Sequence, residues 1–211
     1  GYDDRNHFDL HLRQGLPAIR NQLYGRGRIP GHHSVAWPRI PVLARGVLGL
    51  LLLWTAWLAI LNARQVGINF LLSIFCIVWM ADIAAYFGGR ALGKRKLAPT
   101  ISPGKSWEGV WSGMLGVLVL ALVWLWIDRS FVMDSVSLFT LLLQRLGLIG
   151  LTLVVVSLAA LSVVGDLFES LIKRSAGAKD SSGLLPGHGG VLDRFDALLP
   201  VVPVALAFAS L

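Results

Sequence analysis

Between residues 166 and 196 the sequence sets five carboxylates, four cations and one histidine directly after a strongly apolar stretch. The acids are Asp166, Glu169, Asp180, Asp193 and Asp196. The cations are Lys173, Arg174, Lys179 and Arg194, and the histidine, His188, is followed by Gly189 and Gly190. So much charge at the end of an apolar segment is costly unless it binds something. Carboxylates are ligands for hard cations such as Mg²⁺, whereas Lys, Arg and glycine backbone N–H groups hold phosphate oxygens. The composition therefore points to a divalent cation and a phosphate-rich ligand.

Spacing supports this reading. Asp166, Glu169 and Lys173 stand at i, i+3 and i+7, which places them on one face if the preceding apolar segment continues as a helix. An i, i+4 pair between Glu169 and Lys173 is worth only about 0.3 kcal/mol and leaves Asp166 at the membrane boundary unexplained. Asp193 and Asp196 repeat the i, i+3 relation at the entry to the last apolar segment. If the two acidic pairs meet, they repel one another unless a divalent cation or several basic groups neutralise them.

A second group precedes the third apolar segment. Asp82 falls five residues before the end of its segment, about 7 to 8 Å below the interface, and an ionisable group at that depth is a functional candidate by default. Tyr86 shares its face at i+4. Ser102-Pro103-Gly104-Lys105-Ser106 reads as a turn whose hydroxyls and ammonium converge, with a new helix N-terminus, on an anion. It lacks the glycine spacing of a Walker A loop. Lys94, Arg95 and Lys96 are explained by topology alone, and Glu108 by a helix dipole. His32 and His33, adjacent in a glycine-rich stretch, lack a nearby third ligand for a metal.

The elements that must position these groups follow from composition. With 55% hydrophobic residues, 15% charged residues and a mean hydropathy of +0.67, the chain is far more apolar than a soluble domain. The expected fold class is all-α, a polytopic integral membrane helical bundle of about five transmembrane segments with charged cytoplasmic loops. The segments are 42–61, 68–87, 110–127 and 146–165, each near the 20 residues that cross a bilayer. A shorter one at 198–211 is either cut short or re-entrant and broken at Pro200 and Pro203. Residues 1–41 form a polar basic arm suited to lying on anionic lipid, and 42–211 form the transmembrane domain that carries the charged motif.

If the loop after residue 87 faces inward, the inside segments carry fifteen Lys and Arg against three outside. That asymmetry sets the charged motif on the cytoplasmic face. Trp107, Trp111, Trp124 and Trp126 read as interfacial anchors at the two ends of the third segment. The net charge of +7 calls for anionic partners, lipid headgroups or nucleotides. Nucleic acid is disfavoured, because the cations sit in loops between spans and form no continuous basic face. Cys76, the one cysteine, excludes an intrachain disulfide.

The run from Ser170 to Asp196, Ser-x-x-Lys-Arg-x-x-x-x-Lys-Asp-x-Ser-x-x-Leu-Pro-x-His-Gly-Gly-x-x-Asp-Arg-x-Asp, resembles the signature of the phosphatidate cytidylyltransferase (CDP-diacylglycerol synthase) family. The stretch 82–109, with its Asp, Ala-Tyr pair, Lys-Leu-Ala-Pro run and Ser-Pro-x-Lys-Ser-Trp element, is similar to the same family. Members carry further spans ahead of this half, where this chain has the polar arm. The resemblance implies transfer of a cytidylyl group from CTP to phosphatidate with Mg²⁺, one ion or two, giving CDP-diacylglycerol and pyrophosphate; the membrane is expected to be a bacterial inner membrane, with an organellar one as the alternative. On that reading Asp166, Asp193 and Asp196 bind metal, with Asp82 and Glu169 as further candidates. Lys173, Arg174, Lys179, Arg194 and Lys105 clamp phosphates. Ser102, Ser106, His188, Gly189 and Gly190 add hydrogen bonds, and Asp180 orients a neighbouring cation. A CTP-dependent polyprenol or dolichol kinase, an ion-coupled transporter and an inactive membrane scaffold stay open as alternatives, as does a homodimer.

Overall fold

The structure is a computed structural model and describes residues 41–175 and 195–210, without the side chains of Val42, Arg45, Arg174 and Ser175. The polar arm ahead of residue 41 lies outside these residues. So do Lys179, Asp180, His188, Gly189, Gly190, Asp193 and Arg194, and the side chain of Arg174.

Among the described residues the protein is an all-α polytopic membrane bundle with one small hairpin. In chain order it runs α1 (Val42–Val66), α2 (Ile68–Leu92), β1 (Lys96–Ala98), β2 (Ser102–Ser106), α3 (Trp107–Ser130), α4 (Leu138–Ser175) and α5 (Leu198–Ala209). Four of the helices are long and apolar enough to cross a membrane. At about 1.5 Å per residue the twelve residues of α5 do not span a hydrocarbon core. The expected break at its prolines is absent. Pro200 sits in the first turn, where its missing N–H has no helical partner to lose, and Pro203 is carried inside the helix.

Three other boundaries differ from the hydropathy reading. α1 and α2 are joined by Gly67 alone, at φ 152, a backbone region that favours glycine. The expected outer loop 128–145 already contains the start of α4, where residues 138–146 form a separate helical piece set off from the rest by a kink at Gly147 (φ 69). At its other end α4 does not stop where apolarity ends, but continues to Ser175. From 148 to 175 it is about 42 Å long, which carries its charged last turns beyond the bilayer core.

In lipid there is no hydrophobic drive between helices, so association depends on close packing. The broadest interface, between α2 and α3, is built from small residues. A Cβ added at Gly109 would lie 2.8 Å from the Ala85 carbonyl oxygen, at Gly113 2.9 Å from that of Ala81, and at Gly116 2.5 Å from the Ala84 Cβ. Phe70, Ile74 and Ile77 of α2, Val117 of α3, Leu158 of α4 and Val201 of α5 fill the buried centre. Leucines and tryptophans of α1, such as Leu50, Trp54 and Trp57, are exposed on the outside of the bundle formed by the described residues. Trp107, Trp111 and Trp126 are exposed as interfacial anchors should be. Trp124 is corrected: it is half-buried, and its indole N–H donates to Asn69 Oδ1 at 3.0 Å.

Candidate active site

The site is built at the end of the bundle where α2 ends, α3 begins and α4 leaves the membrane. Residues 102–106, expected as a turn, form strand β2, paired antiparallel with β1 through Lys96 opposite Ser106 and Ala98 opposite Ser102. The turn falls at 99–101 and is closed by the Ile101 N–H donating to the Ala98 carbonyl. Pro103 is tolerated because a two-stranded sheet consists of edges. The hairpin is held to α3 by three contacts. Glu108 accepts the Lys94 and Arg95 N–H groups at 3.1 and 3.2 Å, and the Trp107 N–H donates to the Arg95 carbonyl at 3.0 Å. Ser106 caps α3 by accepting the Gly109 N–H at 3.2 Å. Its hydroxyl is therefore buried and engaged, while Ser102 is half-buried at the first position of β2.

This clamp delivers Lys105 across the gap to α4, where its ammonium forms an ion pair with Asp166. On the same face of α4, Glu169 pairs with Lys173 at 2.8 Å, and the Ser170 hydroxyl donates to Asp166 Oδ1 at 3.4 Å. From the turn that opens α5 comes Asp196. One oxygen from each of Asp166, Glu169 and Asp196 lies within 4.8 Å of the other two. All three residues are half-buried. Asp82, on α2, lies near enough for the charges of Lys105, Asp166 and Asp196 to act on it.

Burial pushes the Asp196 carboxyl above the usual carboxylate range and the neighbouring Asp166 charge adds to this, while a hydrogen bond with Glu169, the Ala197 N–H and Lys173 act against it. Three carboxylates that close raise one another's ionisation cost, and a cation shared between them relieves it. The donor set, oxygens from three acids in a half-buried cup, fits a hard divalent cation.

The structure thus brings together Asp82, Lys105, Asp166, Glu169, Lys173 and Asp196. Sequence reasoning took Glu108 for a dipole partner and missed that it anchors the hairpin carrying Lys105. It also passed over Gly165, whose place directly before Asp166 was the available signal. A Cβ there would lie 3.3 Å from the Asp196 carbonyl oxygen.

Fold and site together define a polytopic membrane protein with a carboxylate cluster and two lysines at one end of its bundle. The model of the Cytidylyltransferase family matches residues 34–211, and the chain belongs to that family. A Haemophilus influenzae protein named phosphatidate cytidylyltransferase is 50% identical over 137 residues, which cover 65% of this chain and 44% of that protein. One of the same name from Pseudomonas aeruginosa is 48% identical over 179 residues, 84% of this chain and 59% of that protein. One from Staphylococcus saprophyticus is 39% identical over 143 residues, 68% of this chain and 50% of that protein. The chain spans about half the length of the curated relatives it matches.

Proposed function

We propose that this chain carries the catalytic portion of a phosphatidate cytidylyltransferase, joining CTP to phosphatidate to give CDP-diacylglycerol and pyrophosphate. The observation that carries the reading is the meeting of Asp166, Glu169 and Asp196 beside Lys105 and Lys173. In a member of the cytidylyltransferase family, that is a cation site with phosphate-binding groups on its rim.

In the reaction a phosphate oxygen of phosphatidate attacks the α-phosphorus of CTP, and the bond from that phosphorus to the bridging oxygen of the β-phosphate breaks. The nucleophile is anionic near neutral pH, so no strong general base is required. Mg²⁺, one ion or two, supplies neutralisation of charge on the triphosphate when bound. Asp166, Glu169 and Asp196 would hold it, with Asp193 and Asp82 as further candidate ligands. Lys105 and Lys173, joined by Arg174, Lys179 and Arg194, bind and orient the phosphates, so that the protein's work is positioning and charge stabilisation. Ser102, His188, Gly189 and Gly190 contribute hydrogen bonds, and Asp180 orients a cation.

The site faces the cytoplasm, where CTP is found, a placement supported by fifteen Lys and Arg on that side against three on the other. The membrane is a bacterial inner membrane, as the bacterial relatives suggest. Residues 1–41 lie as a basic arm on anionic lipid, and 42–211 form the catalytic domain.

The test is incubation of the purified chain with CTP labelled at the α-phosphate, phosphatidate and Mg²⁺, followed by lipid extraction. Label in the organic phase with release of pyrophosphate is expected. Label retained in the aqueous phase as CDP identifies a CTP-dependent kinase and overturns the assignment.

A further inference from the structure

Gly165 sits inside α4 with ordinary helical backbone, since the glycines of positive φ among the described residues are Gly67 and Gly147. Its lack of a side chain answers no conformational need, and a glycine inside a helix costs about 1 kcal/mol relative to alanine. What it permits is contact. A Cβ there would lie 2.9 Å from Pro200 Cγ, 3.3 Å from the Asp196 carbonyl oxygen and 3.4 Å from Ala197 Cα. These atoms belong to the turn that presents Asp196 and to the first turn of α5. Asp196 is also tied to that turn by its side chain, because Oδ1 accepts the Ala197 N–H at 2.7 Å. Any shift of this backbone therefore carries the carboxylate with it, away from Asp166 and Glu169.

We infer that Gly165 is a positioning residue that sets the gap between the α4 acids and Asp196, and with it the size of cation the cluster accepts. The inference rests on the reading of that cluster as a cation site. Mg²⁺ demands oxygens at about 2.0 to 2.1 Å in nearly ideal octahedral geometry, whereas Ca²⁺ takes them at about 2.3 to 2.6 Å in flexible arrangements. Room for one methyl group at position 165 opens the gap by a fraction of an ångström. That handicaps the smaller ion more than the larger.

The experiment follows free Mn²⁺ by electron paramagnetic resonance, with the purified chain in nanodiscs and no nucleotide, and then displaces bound Mn²⁺ with Mg²⁺ or Ca²⁺. Gly165→Ala is expected to lower the affinity for Mg²⁺ about tenfold relative to that for Ca²⁺, the scale of change seen when a metal ligand's support is altered. Adding Pro200→Ala removes the nearest atom, and the Mg²⁺ to Ca²⁺ ratio should return most of the way. Should Gly165→Ala alone fail to fold, the double variant still carries the test through a smaller shift in the same direction, because the 3.3 and 3.4 Å contacts persist. Affinities that fall in parallel, or a ratio unchanged in a folded variant, overturn the positioning role and leave the cation site standing. Absence of Mn²⁺ binding by the unaltered chain overturns the cation site itself.

Discussion

The two ends of the bundle both gather acids from different helices, and they treat them in opposite ways. At the hairpin end, Asp166, Glu169 and Asp196 face one another, and lysine ammonium groups pair with two of them. At the far end each acid faces neutral donors. Asp128 accepts Asn69 Nδ2 at 3.0 Å, the Thr140 hydroxyl at 2.6 Å and the Ser137 hydroxyl. Asp134 accepts the N–H groups of Ile68 and Asn69 at 2.6 and 3.0 Å, capping α2. Asn69, 1% exposed, knits the joint by also donating to the Ser135 carbonyl and accepting from Trp124. A polar network whose groups find neutral partners fixes geometry, whereas acids turned on one another retain a demand for positive charge. What distinguishes a joint from a site here is what the carboxylates face, and four substitutions probe that distinction.

The largest effect is expected from Asp166→Asn. Loss of one carboxylate from the cluster should lower turnover by about 1,000-fold, since a bound divalent ion supplies several kcal/mol of charge stabilisation. Membrane insertion and thermal stability should change little. Turnover within tenfold of the unaltered chain would remove Asp166 from the cation site. Next comes Lys105→Met, with an expected loss of about 100-fold in kcat/KM, the scale of removing one preorganised charge-stabilising donor. The same change removes the cation that pairs with Asp166, so Mn²⁺ should bind more tightly in the absence of CTP. Weaker Mn²⁺ binding would show that Lys105 serves only to hold the hairpin and α4 together.

The contrast between the ends was only partly legible in the sequence. The spans were, because an apolar run of about 20 residues is a property of composition that no tertiary contact reverses. The common face of Asp166, Glu169 and Lys173 was also legible, since helical period fixes it once α4 is known to continue. That Asp196 could meet Asp166 and Glu169 was legible as a possibility from the matching i, i+3 spacings; what brings it there was not, because Gly165 marks a place beside Asp166 but does not name α5 as the element it lets touch α4. The hairpin was hidden by Pro103 and Gly104, which read as a turn. It forms a strand because Glu108, in the following helix, holds the backbone of Lys94 and Arg95. Asp128 and Asp134 fall between the third and fourth apolar segments, where nothing in the local sequence singles them out. Their partners Asn69 and Ile68 stand about sixty residues earlier and are brought near only by the packing of α2 against α3 and α4.

At the far end, Asp128→Ala leaves the hydroxyls of Ser137 and Thr140 without their acceptor. The expected cost is about 2 kcal/mol of stability, read as a fall of about 5 °C in Tm, with turnover per folded molecule unchanged. A matching loss of turnover would mean that the two ends are coupled. The smallest effect belongs to Asp134. Hydrogen bonds from the N–H groups of Ile68 and Asn69 hold its carboxyl below its ordinary value of 3.8. An acid with a depressed value in the folded state stabilises the fold above its unfolded value, and that contribution fades as pH falls through the folded one. The Tm difference between the unaltered chain and Asp134→Asn should therefore stay constant from pH 7 to about pH 4 and narrow below it. The hairpin-end acids titrate identically in both proteins, so the difference isolates the joint. A gap that persists undiminished to pH 3 would show that the asparagine fails for reasons of shape, and that charge at this helix cap contributes nothing.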